Sequence, residues 1–482
     1  MKNNFLKFPK KLFINNEFCD PKKNRFIDCI NPSNEEKICQ IPDSSSEDVD
    51  LAVRSANTAF NGPWRDLTPF DRGQILFKFA ELLEKNKEQL AHLESLDVGK
   101  PISESNGDIN GVINCFKYNA GAADKLEGAT IPLGPDFVDY TELVPLGVTA
   151  HIVPWNFPLG MATRSLAPAL AAGCTVVLKP AEQSSLSALA LGKIIVESGI
   201  PPGVINIITG IGEVAGAELV KHHLVKGITF TGSVETGKKI YQNAAGGIKP
   251  VVLELGGKNP MIVFPDADIS KAVNDALDGS FGNSGQVCSS SSRLYLHNDI
   301  SDHFIDEFQK KSNSLTIGPP EENPQLGPLV SKEQYEKVMN YINQGVKDGA
   351  KLRFGGIRPK RFNKGYFISP TLFENVNMNS ALAQDEIFGP VAIVHNFNSD
   401  DEVIKMANSY DTGLVAGIYS QNISKSVKLS KYLDFGSVWI NGWFIGGLQA
   451  PTGGTKMSGI GRERGLPGIL NYVSIKNIGI KL

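Results

Sequence analysis

The sequence lacks the spacings that hold metals. Its six cysteines, Cys19, Cys29, Cys39, Cys115, Cys174 and Cys288, include no C-x-x-C pair, and its seven histidines form no H-E-x-x-H. A zinc knuckle, a thioredoxin-type dithiol and a zinc hydrolase site are not expected, and no metal is assigned. Cys19, Cys29 and Cys39 recur at ten-residue steps, but in a loop-rich opening without a histidine partner, so the spacing reads as accidental. Unpaired cysteines of this kind suit a reduced, cytoplasmic compartment. No apolar run approaches the ~20 residues that cross a bilayer. The opening MKNNFLKFPKKLFINNEF carries lysines but no apolar core of about 7–15 residues, so neither a membrane partner nor a secretory signal is expected. Charge of one sign is also missing: 48 Lys plus Arg against 51 Asp plus Glu leave a net charge of −3. A duplex-binding protein shows a basic field, so no nucleic-acid partner is expected. There is no internal repeat and no low-complexity linker.

Glycine is what the sequence has in excess. It supplies 48 of 482 residues, about 10% against a usual 7% or so, without the period of three that marks collagen. Many turns and close backbone approaches follow. At ~150 residues per domain the length predicts two to four domains. Residues 46–125 read as helical, with Asp48–Ala59 and Gly73–Leu93 showing apolar positions at three- and four-residue steps. Residues 131–148 hold Pro132, Gly134, Pro135, Pro145 and Gly147, which suits exposed strands joined by turns. From Val148 the pattern becomes regular. Strands are predicted at Val148–Val153, Thr175–Lys179, Val204–Ile208, Gly227–Phe230 and Val251–Glu254. Helices are predicted between them at Met161–Ala171, Leu186–Glu197, Glu213–Lys221 and Thr236–Ala244. Five strands with four crossovers predict an α/β fold with a doubly wound parallel sheet, whose ligands bind at the carboxyl ends of the strands. A second α/β pattern runs from about residue 261 to 465, and residues 468–482 read as a strand-rich ending.

Four clusters carry chemistry. Cys288 closes the Gly- and Ser-rich turn Phe281–Val287 and precedes Ser289–Ser292 and Arg293. Such a turn predicts an exposed, electropositive thiol of lowered pKa, a nucleophile, although a lone cysteine is more often a buried structural one. Glu254 ends the apolar run Val251–Leu253 before Gly256 and Gly257, where burial would raise its pKa into the range of a general base. A surface glutamate at a strand end is the plainer alternative. Asn156 sits between Pro154-Trp155 and Phe157-Pro158, a stiff loop that can aim an amide at developing negative charge. Finally, Gly210–Gly216 and Thr231-Gly232-Ser233 follow strands and can offer backbone amides to a phosphate. The spacing G-x-G-x-x-x-G is one residue longer than the usual dinucleotide fingerprint. Lys179-Pro180-Ala181-Glu182 offers a carboxylate for a ribose.

In this order the motifs Pro154–Pro158, Glu254–Gly257, Phe281–Cys288, Gln384–Pro390 and Lys456–Glu463 resemble the aldehyde dehydrogenase superfamily, nearly end to end. The resemblance implies a Rossmann-like cofactor domain (1–122 and 142–254), an α/β catalytic domain (255–466) and a small β oligomerisation element (123–141 and 467–482). It implies that Cys288 attacks an aldehyde, that the Asn156 amide and the Cys288 N–H hold the oxyanion, and that Glu254 activates the water that hydrolyses the thioester. Lys179 and Glu182 would bind the adenosine ribose, Ser233 and Trp155 the pyrophosphate region, and Glu386 the nicotinamide ribose, with Phe388 beside it. Ile152, Gly212, Gly216, Thr231, Gly232 and Leu255 complete the implied cofactor set. A carboxylate at Glu182 repels a 2′-phosphate, so NAD is expected over NADP. Homodimers or homotetramers are implied through Thr130–Thr141 and Tyr472–Ile480.

Departures from the family pattern bear on substrate. Thr452 stands where several relatives carry an aromatic residue, and Gly446-Gly447 where a bulky one is common. Trp443 and Phe444 could compensate from the same loop. With Phe157, Val287 and Ser289 these form the expected pocket. Arg164, eight residues after Asn156, either binds a substrate carboxylate, as a similar arginine does in succinic-type semialdehyde enzymes, or pairs with a protein carboxylate. Gly282 replaces the second arginine of that type, and the Arg164–Pro168 run also resembles enzymes of aromatic aldehydes. The expected substrate is a small aldehyde with a polar, anionic or aromatic tail. A coenzyme A-acylating enzyme and a non-enzymatic descendant of the fold are the competing readings. Glu254 counts against the first, and the retained nucleophile against the second.

Overall fold

The computed structural model describes residues 5–482. Five parallel strands form its first sheet: β1 (Val148–Ile152), β2 (Thr175–Lys179), β3 (Ile205–Ile207), β4 (Val225–Gly232) and β5 (Val251–Leu255), in the order β3-β2-β1-β4-β5. Runs such as Thr-Val-Val-Leu-Lys are continuous and apolar because both faces are covered. Helices Pro69–Lys85, α1 (Ile102–Ala122), α2 (Pro158–Ala172) and Leu186–Ser198 pack one face. Ser46–Phe60, Ala217–Lys221 and α3 (Val234–Ala245) pack the other. Leu12–Ile14 and Glu17–Cys19 extend the sheet antiparallel beyond β3. At the opposite edge Gly459–Ile460 pairs antiparallel with β5, Leu253 facing Ile460 and Glu254 facing Gly459.

A second sheet is built from residues 260–440. Its order is Lys351–Phe354, Thr371–Glu374, Val391–Phe397, Arg293–His297, Pro260–Val263, Val415–Tyr419 and Ser437–Ile440, all parallel except the first. Helices α4 (Ile269–Phe281) and α5 (Lys332–Lys347) belong to this half. The third unit is a ribbon in which Phe137–Pro145 pairs along its whole length with Val473–Lys481 and at one end with Thr130–Ile131. Among the described residues no strand pairs with the outer edge of Val473–Lys481, and Ile475 there is 74% exposed. Among the described residues no helix is long and apolar enough to cross a membrane.

The structure departs from the sequence reading in four places. The helix predicted over Gly73–Leu93 is two helices, Pro69–Lys85 and Lys87–Val98. Asn86 breaks it by turning its side-chain amide back onto the Leu82 carbonyl at 2.8 Å. The strand-rich ending begins instead as a short helix, Gly465–Leu470, which opens with the Gly468 N–H bonded to the Arg464 carbonyl. The helix after β3 starts as a widened turn over Gly212–Gly216. Cys29 and Cys39 are not loop residues: they face each other across the antiparallel pair Phe26–Ile30 and Lys37–Pro42, both as free thiols.

Candidate active site

The carboxyl ends of β1, β4 and β5 open onto one cleft shared with the second half. Its walls include Trp155, Asn156, Met161, Thr231, Gly232, Ser233, Glu254, Leu255, Cys288, Gln334, Lys337, Glu386 and Phe388. The polypeptide takes a forced path to reach it. Asn283, Ser284 and Gly285 lie consecutively at φ 49°, 55° and 74°, a left-handed run that costs two non-glycine residues conformational strain. Gly285 tolerates no side chain, since a Cβ would run into the Gly389 carbonyl. Hydrogen bonds hold the turn. Ser284 Oγ donates to the Gly327 carbonyl at 2.7 Å, Gln286 Nε2 to the Asn283 carbonyl at 3.1 Å, and the Val330 N–H to Gln286 Oε1 at 3.0 Å. Asn259 Nδ2 donates to the carbonyl of Cys288 itself at 2.8 Å.

Asn156 is tied into the same turn. Its Nδ2 donates to the Gln286 carbonyl at 2.8 Å, and Asn283 Nδ2 donates to the Asn156 carbonyl at 3.0 Å. One amide hydrogen of Asn156 is thus fixed, which orients the second. The Oδ1 is buried without a partner.

The thiol differs from expectation. It is half-buried rather than exposed, and burial pushes Cys288 up to about 11 despite the opposing charge of Arg164. Arg293, the cation expected beside it, is buried elsewhere. Its Nη1 donates to Tyr295 Oη at 2.9 Å and its guanidinium lies 3.5 Å from the Tyr410 ring centroid. Desolvation therefore outweighs local charge in the free protein.

Glu254 is buried, and burial, reinforced by Glu463, pushes it up to about 8 against the pull of Arg164. Its Oε1 has no hydrogen-bond partner. Arg164 stands between the two carboxylates, paired with Glu463 and 3.7 Å from Glu254 Oε2. Of the two readings of Arg164, the geometry gives the protein ion pair.

The residues expected at the cofactor fall into two groups. Trp155, Thr231, Gly232, Ser233, Leu255, Glu386 and Phe388 line the cleft with Cys288. Ser233 caps α3, its Oγ accepting from the Thr236 N–H. Glu386 Oε1 accepts from the Gly257 N–H at 3.2 Å, and Gly256 is bare where a Cβ would strike the Glu386 carboxylate. Phe388 takes φ 60° and sets its ring edge-on to Trp155, centroids 5.2 Å apart. The second group lies one strand over. Lys179 Nζ is 3.3 Å from Glu182 Oε2, and Gly216 faces Lys179 and Ile152. Nothing occupies the space a Gly212 side chain would take.

The residues expected at the substrate pocket are spread over several environments. Trp443 turns inward: it is 8% exposed, its indole N–H donates to the Ser289 carbonyl at 3.0 Å, and it packs against Gly279 and Gly417. It fills core, as its neighbouring glycines require. Phe444 is exposed and meets Trp439 and Trp443 edge-on. The Phe157 ring lies beneath the buried Lys100 ammonium, 3.9 Å from its centroid. Val287 is buried, and Thr452 exchanges backbone hydrogen bonds with Glu463. Phe157, Val287, Ser289, Trp443, Phe444 and Thr452 are not among the residues that line the cleft holding Cys288, Asn156 and Glu254.

Several residues, Lys337 of the cleft wall among them, escaped the sequence reading. Met161 is in the wall; Gln334 Nε2 donates to the Phe388 carbonyl at 2.7 Å. Lys258, fully buried, donates from Nζ to the Leu382 and Asp385 carbonyls at 2.9 and 2.7 Å. Glu463 closed a quoted motif with no role assigned. Lys258 carried a signal, a lysine directly after two glycines at a strand end. Gln334 carried none, because only the fold brings its helix to the Glu386 loop.

The model of the aldehyde dehydrogenase family matches residues 18–478. The chain belongs to the aldehyde dehydrogenase family. It is 44% identical over 481 residues to the putative aldehyde dehydrogenase DhaS of Bacillus subtilis (strain 168), covering 99% of this chain and 97% of that protein. It is 43% identical to retinal dehydrogenase 2 of Homo sapiens, covering 98% and 92%. Among solved structures, the NAD+ complex of an aldehyde dehydrogenase from Bacillus cereus superposes with a TM-score of 0.98 at 42% identity, covering 100% of this chain and 98% of that one. Betaine aldehyde dehydrogenase from Staphylococcus aureus, in complex with NAD+, gives 0.96 at 37% identity, covering 98% and 95%. This family member is thus an oxidoreductase acting on aldehydes, on a mixed α/β framework of parallel sheets.

Proposed function

We propose that the protein oxidises an aldehyde to the carboxylic acid with NAD. One observation carries this reading: Cys288, Asn156 and Glu254 share a single cleft with Glu386, Phe388 and Ser233. The Cys288 thiol gives up its proton to water in the cleft, and its sulfur bonds to the aldehyde carbon. The free amide hydrogen of Asn156 and the Cys288 backbone N–H hold the resulting oxyanion. NAD, when bound, supplies the acceptor for the hydride that leaves this carbon, and a thioester on Cys288 remains. Glu254 then takes a proton from water, the hydroxide adds to the thioester carbon, and the sulfur leaves as thiolate with release of the acid.

The residues fit the dinucleotide. Glycines 212, 216 and 256 keep the backbone bare where phosphates and ribose approach, and the Ser233 end of α3 faces the cleft. The Glu182 carboxylate beside Lys179 favours a free ribose 2′-hydroxyl over a 2′-phosphate. Residues 1–122 with 142–254 act as the cofactor domain, 255–466 as the catalytic domain, and 123–141 with 467–482 as the oligomerisation element. The unpaired edge of Val473–Lys481 supports self-association as a dimer or tetramer.

Cys288→Ser is the deciding experiment. Loss of aldehyde-dependent NADH formation, with NAD binding retained, supports the assignment; turnover in the variant sinks it. Release of acyl-coenzyme A rather than free acid in the presence of coenzyme A would favour the acylating alternative.

A further inference from the structure

The loop that carries Asn156 is seated on charged groups that the proposed reaction does not use. Phe157 and Pro158, the next two residues, open helix α2. Phe157 caps it at φ −138° and ψ 72°, and its side chain offers no hydrogen bond to the first turn. The N–H of Leu159 is met from another helix instead: it donates to Glu94 Oε1 at 2.8 Å. Glu94 lies in Lys87–Val98 and is fully buried. A carboxylate there satisfies an orphan donor and answers the positive end of α2.

Lys100 holds the other side of the loop. Its side chain is wholly buried, and its ammonium pairs with Asp108 of α1 and lies 3.9 Å from the centroid of the Phe157 ring. Set between a carboxylate and an aromatic face, the cation fixes the ring by a directed attraction. An apolar side chain of the same volume would only fill space, at no desolvation cost. The turn that presents Lys100 is itself pinned. Gly99 lies at φ 80°, and a Cβ on it would come within 2.5 Å of Pro328 Cγ and 2.9 Å of Pro32 Cγ.

These contacts bracket Asn156. Lys100 acts one residue after it and Glu94 three residues after it, while Asn283 Nδ2 holds the Asn156 carbonyl at 3.0 Å. Neither Lys100 nor Glu94 is among the residues that line the cleft. Their influence on the reaction therefore passes through the loop.

We propose that Lys100 and Glu94 are positioning residues, which through Phe157 and Leu159 aim the Asn156 amide at the carbonyl oxygen of the aldehyde. The inference rests on the reading of Asn156 as the oxyanion donor and adds the buried pair that directs it.

The test measures the first turnover of NADH formation at saturating NAD and aldehyde in wild type, Lys100→Met and Lys100→Arg, each with and without Asn156→Ala. Misplacing a reacting group by about 1 Å costs up to about a hundredfold, so Lys100→Met slows the first turnover about ten- to a hundredfold. Its KM for NAD stays within about twofold, because no cofactor contact is lost. Lys100→Arg keeps a cation over the ring and recovers most of the rate. In the Asn156→Ala background Lys100→Met changes the rate less than about twofold, since the amide it aims is gone. An equal loss in both backgrounds, or an unchanged first turnover in Lys100→Met, overturns the proposal. If a thermal melt shows that Lys100→Met does not fold, Glu94→Ala carries the same comparison, with Glu94→Gln, which keeps an oxygen for the Leu159 N–H, as the conservative variant. Failure of the Asn156 reading is distinct: it shows as a normal first turnover in Asn156→Ala alone.

Discussion

The Asn156 side chain donates to the Gln286 carbonyl at 2.8 Å, two residues before the Cys288 thiol. The proposed oxyanion donor and the proposed nucleophile are therefore tied into one turn. Removing the amide takes away both a donor to the developing charge and a clamp on the turn. Asn156→Ala is expected to lower kcat about 100- to 1000-fold, the usual loss of an oxyanion donor, while NAD affinity stays within a few-fold. Steady-state kinetics with calorimetric NAD titration check it, and a normal kcat refutes the role.

As the proposed base, Glu254 is expected to set the pH dependence of the second half-reaction. Its carboxyl is pushed up to about 8, so the ionised form that accepts a proton is scarce below that value and dominant above it. Turnover limited by thioester hydrolysis is expected to rise with pH through about 8. In Glu254→Gln the acid limb disappears with the hydrolysis, yet a burst of NADH equal to the enzyme concentration still forms. Stopped-flow absorbance separates the two phases; a variant without a burst argues that Glu254 serves the first half-reaction too.

Glu463 should tune that limb. It raises Glu254 by like charge and it occupies Arg164. In Glu463→Gln the repulsion goes and Arg164 is freed for Glu254, and both effects favour the carboxylate. The midpoint of the kcat profile is expected to move to lower pH. A midpoint that stays in place, or rises, disproves the coupling.

Lys258 supports the cofactor end. Its ammonium bridges the Leu382 and Asp385 carbonyls just before Glu386, whose carboxylate the Gly257 N–H already holds. Lys258→Met is expected to raise KM for NAD about tenfold or more, with a smaller change in KM for the aldehyde. Equal effects on both constants would mean general misfolding, which a thermal melt of the free protein reports.

Much of this framework could be read from the chain before any coordinates. Strands such as Thr175–Lys179 are legible to the residue because a sheet covered on both faces demands continuous apolar runs. The family motifs brought Cys288, Glu254 and Asn156 into one proposal, and the fold gathers them in one cleft. What stayed hidden depends on contacts far apart in sequence. The inward turn of Trp443 follows from space left by Gly279 and Gly417, 164 and 26 residues away by numbering. The high thiol pKa of Cys288 follows from enclosure, which a Gly- and Ser-rich turn does not reveal. The pairing of Arg164 with Glu463 emerges only when the fold brings together residues far apart in sequence.

The short strand Gly459–Ile460 has a wider effect than its length suggests. It follows the second half in the chain and pairs with the edge of the first sheet, directly beside Leu253 and Glu254. A hinge that swung the halves apart would have to peel this strand away and disturb the base with it. Cofactor exchange must therefore proceed through the mouth of the cleft by loop movement, and the two halves should melt in a single cooperative transition.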